Sequence, residues 1–145
     1  DWMPDRLHMA GVAAEIDPAR LIFAEPRRAD DILWTLEETL RSGAVALAVA
    51  ELPEAPELTP VRRLHLAAEA GAEATGRAPL GLLLTPGDGG ARGVETRWRL
   101  EPDHAPGRSG WRLQRLRARD AAEADWPVHW RGGRPHIATP APATA

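Results

Sequence analysis

Ala44-Val45-Ala46-Leu47-Ala48-Val49-Ala50-Glu51 is an unbroken apolar run closed by a carboxylate. A strand with one wet face alternates apolar and polar residues. A continuous run instead predicts a central parallel strand covered on both faces. Alanine at 44, 46, 48 and 50 predicts that the covering helices approach closely. Upstream, Ile32, Leu33, Leu36 and Leu40 form one apolar helical stripe. Asp30 or Asp31 is placed to cap that helix, and Gly43 to end it in a left-handed turn. Before it, Leu21-Ile22-Phe23-Ala24 lies between Asp17-Pro18 and Glu25-Pro26 and predicts a short buried strand. Downstream, Thr59 as N-cap and Pro60 at the first helical position open a helix over residues 61–74, with Leu64, Ala67, Ala68 and Gly71 inward. Leu80-Gly81-Leu82-Leu83-Leu84 supplies a third strand. Strand, helix, strand, helix, strand is the βαβ pattern, which requires parallel pairing.

Past the loop Pro86-Gly87-Asp88-Gly89-Gly90-Ala91-Arg92-Gly93 the apolar period falls to two. Thr96-Arg97-Trp98-Arg99-Leu100, Trp111-Arg112-Leu113 and Trp126, Val128 and Trp130 read as antiparallel strands. Turns are expected at 103–110, around 120–125 and at Gly132-Gly133. Thr139 to Ala145 is too small and polar to bury anything and is expected to be a disordered tail. The expectation is an α/β fold in one domain over residues 1–138, with a parallel part at 1–86 and an antiparallel part at 94–138.

Composition removes several chemistries. The chain has no Cys, so disulfides and thiolate metal sites are excluded, and its 5 His lack ligand spacing. All 18 basic residues are Arg, beside 27 Ala and no Lys, Asn or Tyr, which reads as codon bias of a GC-rich genome. Without lysine these residues can form neither a phosphate-binding P-loop nor a Schiff base. No apolar run approaches the roughly 18 residues of a membrane span, and the N-terminus lacks signal-peptide character. A soluble cytoplasmic protein without metal or cofactor is expected. The first residue is Asp1 and not Met, which points to a fragment or a processed product. Charge is uneven: residues 1–91 carry −7 and residues 92–145 carry +4, and the second stretch holds four of the 6 Trp. Interleaved Arg and Trp is a composition of binding surfaces as well as of strands.

Leu21-Ile22-Phe23-Ala24-Glu25-Pro26, the step Leu40-Arg41-Ser42-Gly43-Ala44-Val45, the strand to Glu51 and Leu58-Thr59-Pro60 together resemble the second half of the RecA ATPase core. Asp17-Pro18-Ala19-Arg20-Leu21, Trp34-Thr35-Leu36-Glu37-Glu38, residues 64–71, Thr96 to Leu100 and Trp111-Arg112-Leu113 are similar to ImuA-type proteins, RecA-derived members of a bacterial mutagenesis cassette. The likeness spans roughly residues 11–137 as many weak motifs. It implies a RecA-like core and a non-catalytic accessory role in translesion synthesis during the SOS response to DNA damage. The implied partner is the polymerase-like protein ImuB, with a RecA filament or DNA as further candidates. It places Glu51 at the Walker B position and Arg117-Ala118-Arg119 where RecA carries a basic strand reaching a neighbouring subunit's nucleotide. Two other readings stay open: a nucleotide-dependent RecA-like ATPase whose phosphate loop lies outside these residues, and a SulA-like inhibitor of cell division.

Each candidate has a plainer alternative. Glu51 is either a remnant nucleotide or metal site or a solvated carboxylate ending a strand, and the missing lysine favours the second. The Gly-rich loop leads into a strand and not a helix, so it reads as a connection and not a phosphate cradle. Alternation directs Trp and Leu to the core and Arg to water. On that reading Arg97, Arg99, Arg112, Arg115, Arg117 and Arg119 would share one positive sheet face with few acids between them. That patch, with Trp98, Trp111 and Trp34, is the expected surface for a partner protein, ahead of DNA. Trp34 qualifies because it lies roughly 200° of helical turn off the apolar stripe.

Overall fold

The computed structural model describes residues 7–138. The chain divides into two compact units at Arg92/Gly93. The first contains α1 (Met9–Val12), a 3-10 turn (Pro18–Arg20), α2 (Ala29–Ser42), β1 (Leu47–Glu51), α3 (Leu58–Thr75) and β2 (Leu80–Leu84). The second contains β3 (Thr96–Pro102), β4 (Gly110–Ala118), β5 (Ala124–Arg131) and β6 (Arg134–Ile137). Mixed helices and strands, with one parallel and one antiparallel sheet, make an α/β protein.

In the first unit β1 and β2 pair in parallel, Leu47 opposite Leu80 through Glu51 opposite Leu84. Both helices pack on one face of this pair. Leu36 and Leu40 from α2, Leu64 and Ala67 from α3, and Ala48 and Ala50 from β1 form the core, with Ile32, Leu33, Ala68 and Leu83 against it. Leu40 is 1% exposed. It fits because β2 has no side chain at Gly81, where a Cβ would stand 3.2 Å from Leu40 Cδ1. The helices touch most closely at Gly71: a Cβ there would run into the carbonyl oxygen of Leu40. Gly43 ends α2 at φ 61° and donates its amide to that same carbonyl at 3.1 Å. Beside this contact the buried Glu37 of α2 accepts from Arg63 of α3 and from Arg41 on its own helix, both at 2.6 Å. A carboxylate this far from water needs both partners.

Several expectations are corrected. Leu21–Ala24 is not a strand: Leu21 donates its amide locally to Pro18, no ladder reaches the segment, and Ile22 is 88% exposed. The parallel sheet therefore has two strands among the described residues. The apolar run does not form strand at 44–46, and β1 is covered on one face only. Ala48 and Ala50 are buried while Leu47 and Val49 are about half exposed, because α2 and α3 share one side. Neither Asp30 nor Asp31 caps α2. Arg28 holds the N-cap without a side-chain bond, and the two aspartates lie in the first turn, where the helix dipole favours them. Likewise α3 starts one residue before Thr59, with Glu57 at the N-cap. The segment 139–145, expected to be disordered, lies outside the described residues.

The Gly71 contact yields a stability test. Gly71→Ala should destabilise the protein by about 3 kcal/mol through overpacking against a backbone carbonyl that cannot move aside. Gly76→Ala, left-handed at φ 73° but in open space, should cost about 1 kcal/mol. Urea denaturation of the two variants should separate them; equal losses would contradict the close helix contact.

Candidate functional site

The second unit is a four-stranded antiparallel sheet in the order β3-β4-β5-β6. Residues directly opposite on neighbouring strands share a face, and alternate residues along a strand do too. Leu100 faces Leu113, which faces Trp126; Trp98 faces Arg115; Trp111 faces Val128, which faces Ile137. These residues therefore lie on one side, together with Trp130 two residues beyond Val128. All four tryptophans of the unit are on it.

Their rings are in contact. Trp98 and Trp126 have centroids 5.9 Å apart, and Trp111 meets Trp130 edge-on at 5.7 Å. His104, from the loop joining β3 to β4, stands edge-on to Trp111 at 5.0 Å and accepts the Gly110 amide on Nδ1 at 3.2 Å. Beside the Trp98–Trp126 pair stands the Arg115 guanidinium, 5.8 Å from the Trp98 ring centre and 5.3 Å from that of Trp126. The face is partly open to solvent: Trp98 and Trp130 are each 45% exposed, Leu100 62% and Ile137 59%, while Trp111, Leu113 and Trp126 are half-buried and Val128 is buried. The opposite face is mixed as well, with the Arg99 side chain 26% exposed and that of Arg112 60%, so the expected division of apolar residues to a core and Arg to water holds throughout on neither face.

The opposite face does not form the expected uninterrupted positive patch. Arg112 binds Asp125 at 3.1 Å, and Gln114 donates to the same carboxylate at 3.0 Å. Arg99 lies 3.7 Å from Glu101. Arg97 stands opposite Arg117, next to a bulge that shifts the register between Arg97 and Trp98. Arg119 lies past the end of β4 and pairs with Glu95 at 3.1 Å. Arg115 belongs to the tryptophan face. Of the six arginines expected together, then, three have acidic neighbours and one is on the other side. Alternation predicted a common face for them; the bulge and the interspersed acids break it up.

The remaining candidates lie in the first unit. Trp34 is on α2 and 60% exposed, and Glu51 is exposed at the carboxyl end of β1. Among the described residues no group of His, Asp and Glu is arranged to hold a metal, and no helix is long and apolar enough to cross a membrane. Trp126, Trp130 and Leu100 join Trp98 and Trp111 on this face and were not among the expected site residues, because the cross-strand register that groups them is not written in any one strand. One sequence signal could have found them: no amphipathic helical period is readable over residues 94–138, so these residues supply no helical layer of their own for the tryptophans. No family model, curated protein or solved structure matches the chain.

An open face makes a clear stability prediction. Leu100→Thr and Ile137→Thr should each change stability by less than about 0.5 kcal/mol, whereas Val128→Ala, 7% exposed, should cost about 1–2 kcal/mol. Thermal denaturation distinguishes them. A loss of about 2 kcal/mol at Leu100 would mean that the face is already covered.

Proposed function

We propose that the protein is a non-catalytic docking protein of the ImuA type, a RecA-like cytoplasmic accessory that binds an ImuB-type polymerase-like partner during translesion synthesis after DNA damage. The observation that carries the docking role is the exposed tryptophan face of the β3–β6 sheet. Trp and Arg are the favoured anchors of protein interfaces, and apolar surface of this kind left in water is the mark of a partner site. The named partner rests on the resemblance of the sequence motifs to ImuA-type proteins. The non-catalytic role rests on the absence of lysine, which removes the P-loop chemistry of the RecA ATPase from these residues.

This reading moves the expected contact from the arginines to the tryptophans. Arg99, Arg112 and Arg119 have acidic neighbours within their own unit and so have less to offer a partner. Leu100→Glu places a charge on the exposed edge strand of the apolar face, and Trp130→Ala removes one of its large exposed rings.

In a pull-down with ImuB, Leu100→Glu and Trp130→Ala should reduce capture at least about tenfold, the loss expected at an interface hot spot. Arg112→Glu and Arg119→Glu should stay within about threefold of wild type, as rim charges do. Loss only in the arginine variants would contradict the assignment of the face. Mg-dependent nucleotide binding abolished by Glu51→Gln would contradict the non-catalytic reading.

A further inference from the structure

We infer that Arg115, held beside the Trp98–Trp126 pair, is an anchor for a single carboxylate, and that the tryptophan face recognises a peptide segment with one Asp or Glu flanked by large apolar side chains. This rests on the docking reading of the face and specifies what docks there.

The guanidinium is fixed before any partner arrives. Its Nε donates to the Ala122 carbonyl at 2.8 Å, and its carbon lies 5.8 Å and 5.3 Å from the centres of two adjacent indoles. Among the described residues no carboxylate pairs with it. The outer edge of the fork is therefore left with donors whose spacing matches the two oxygens of a carboxylate. Stacking on aromatic rings suits arginine particularly, since its planar cation is weakly hydrated, and preorganisation removes much of the rotamer entropy that a long side chain loses on binding.

The surroundings choose the ligand. Arg115 is the only charged residue in the register positions of this face, and its neighbours are Trp98, Trp126, Leu100 and Leu113. A nucleic-acid strand is held by several cations tracking its backbone, with bases stacked beside them. Here the other strand arginines project from the opposite face, where Arg99 and Arg112 lie beside Glu101 and Asp125. One cation in an apolar field complements one anion in an apolar segment, and that is a peptide.

The test selects a random twelve-residue peptide library on the full chain, then measures selected peptides against Arg115→Gln, Arg115→Lys, Trp130→Ala and wild type by fluorescence polarisation, with a labelled 20-nucleotide oligo-dT as a separate probe. We expect selected peptides to carry an acid between apolar residues. Their binding should fall at least about tenfold in Arg115→Gln, and Arg115→Lys should recover only part of it, because an ammonium lacks the planar fork. Circular dichroism checks that each variant is folded. Acid-free peptides that lose binding in Trp130→Ala but not in Arg115→Gln would overturn the anchor and leave the docking reading standing. Failure to select any peptide that depends on either residue would overturn both. Oligo-dT binding at physiological salt that Arg115→Gln abolishes would overturn the peptide assignment in favour of nucleic acid.

Discussion

A β-sheet has two faces, and in the unit beginning at Gly93 the described residues include no helix to lie on either. Four tryptophans lie on the same side of that sheet, and part of their apolar area, most of all at Trp98 and Trp130, is left to water. Contact among themselves relieves only part of it. Trp98 and Trp126 meet beside Arg115, Trp111 and Trp130 meet edge to face, and His104 covers another edge of Trp111. Such ring contacts are each worth about 0.5–1.5 kcal/mol beyond area burial, enough to order the side chains without hiding them. Side chains held by one another in this way lose less entropy on binding than free ones would.

The first unit solves the layer problem differently. Its two parallel strands have α2 and α3 on one side, and close approach depends on residues without side chains. Gly71 admits the Leu40 carbonyl, and Gly81 admits the Leu40 side chain. The buried Glu37 is tolerated because Arg41 and Arg63 each take one of its oxygens. The other side of the strands stays open, with Leu47, Val49, Leu80, Leu82 and Leu84 all at least 42% exposed. Parallel strands ordinarily have cover on both faces.

Legibility followed the range of the interaction that decides each feature. The span 80–84 was readable to the residue, and so was the end of α2, because a short apolar run and a glycine stop act locally. The inward residues Leu36, Leu40, Leu64 and Ala67 were readable from helical period. Strand status at 21–24 was not, since it depends on whether another strand accepts the segment's amides. Cover on β1 was misread for the same reason: an apolar run says that two faces are compatible with burial, not that a layer exists on each. In the second unit alternation brought the tryptophans to one face but left Arg115 among them, and which side meets water is decided by layers that the alternation does not encode. The bulge at Arg97/Trp98 and the Asp125 contacts, which divide the arginines, arise from cross-strand register. The carboxylate site at Arg115 was hidden because its partners Trp98 and Trp126 come from two different strands.

The central claim is that the tryptophan face is open in the free protein and closes on its partner. Hydroxyl-radical footprinting of the full chain, alone and with the ImuB-type partner, reads both states at once. The account predicts rapid oxidation of Trp98 and Trp130 in the free chain and protection of both in the complex. Slow oxidation of these rings in the free chain, or unchanged oxidation once the partner is bound, would contradict it.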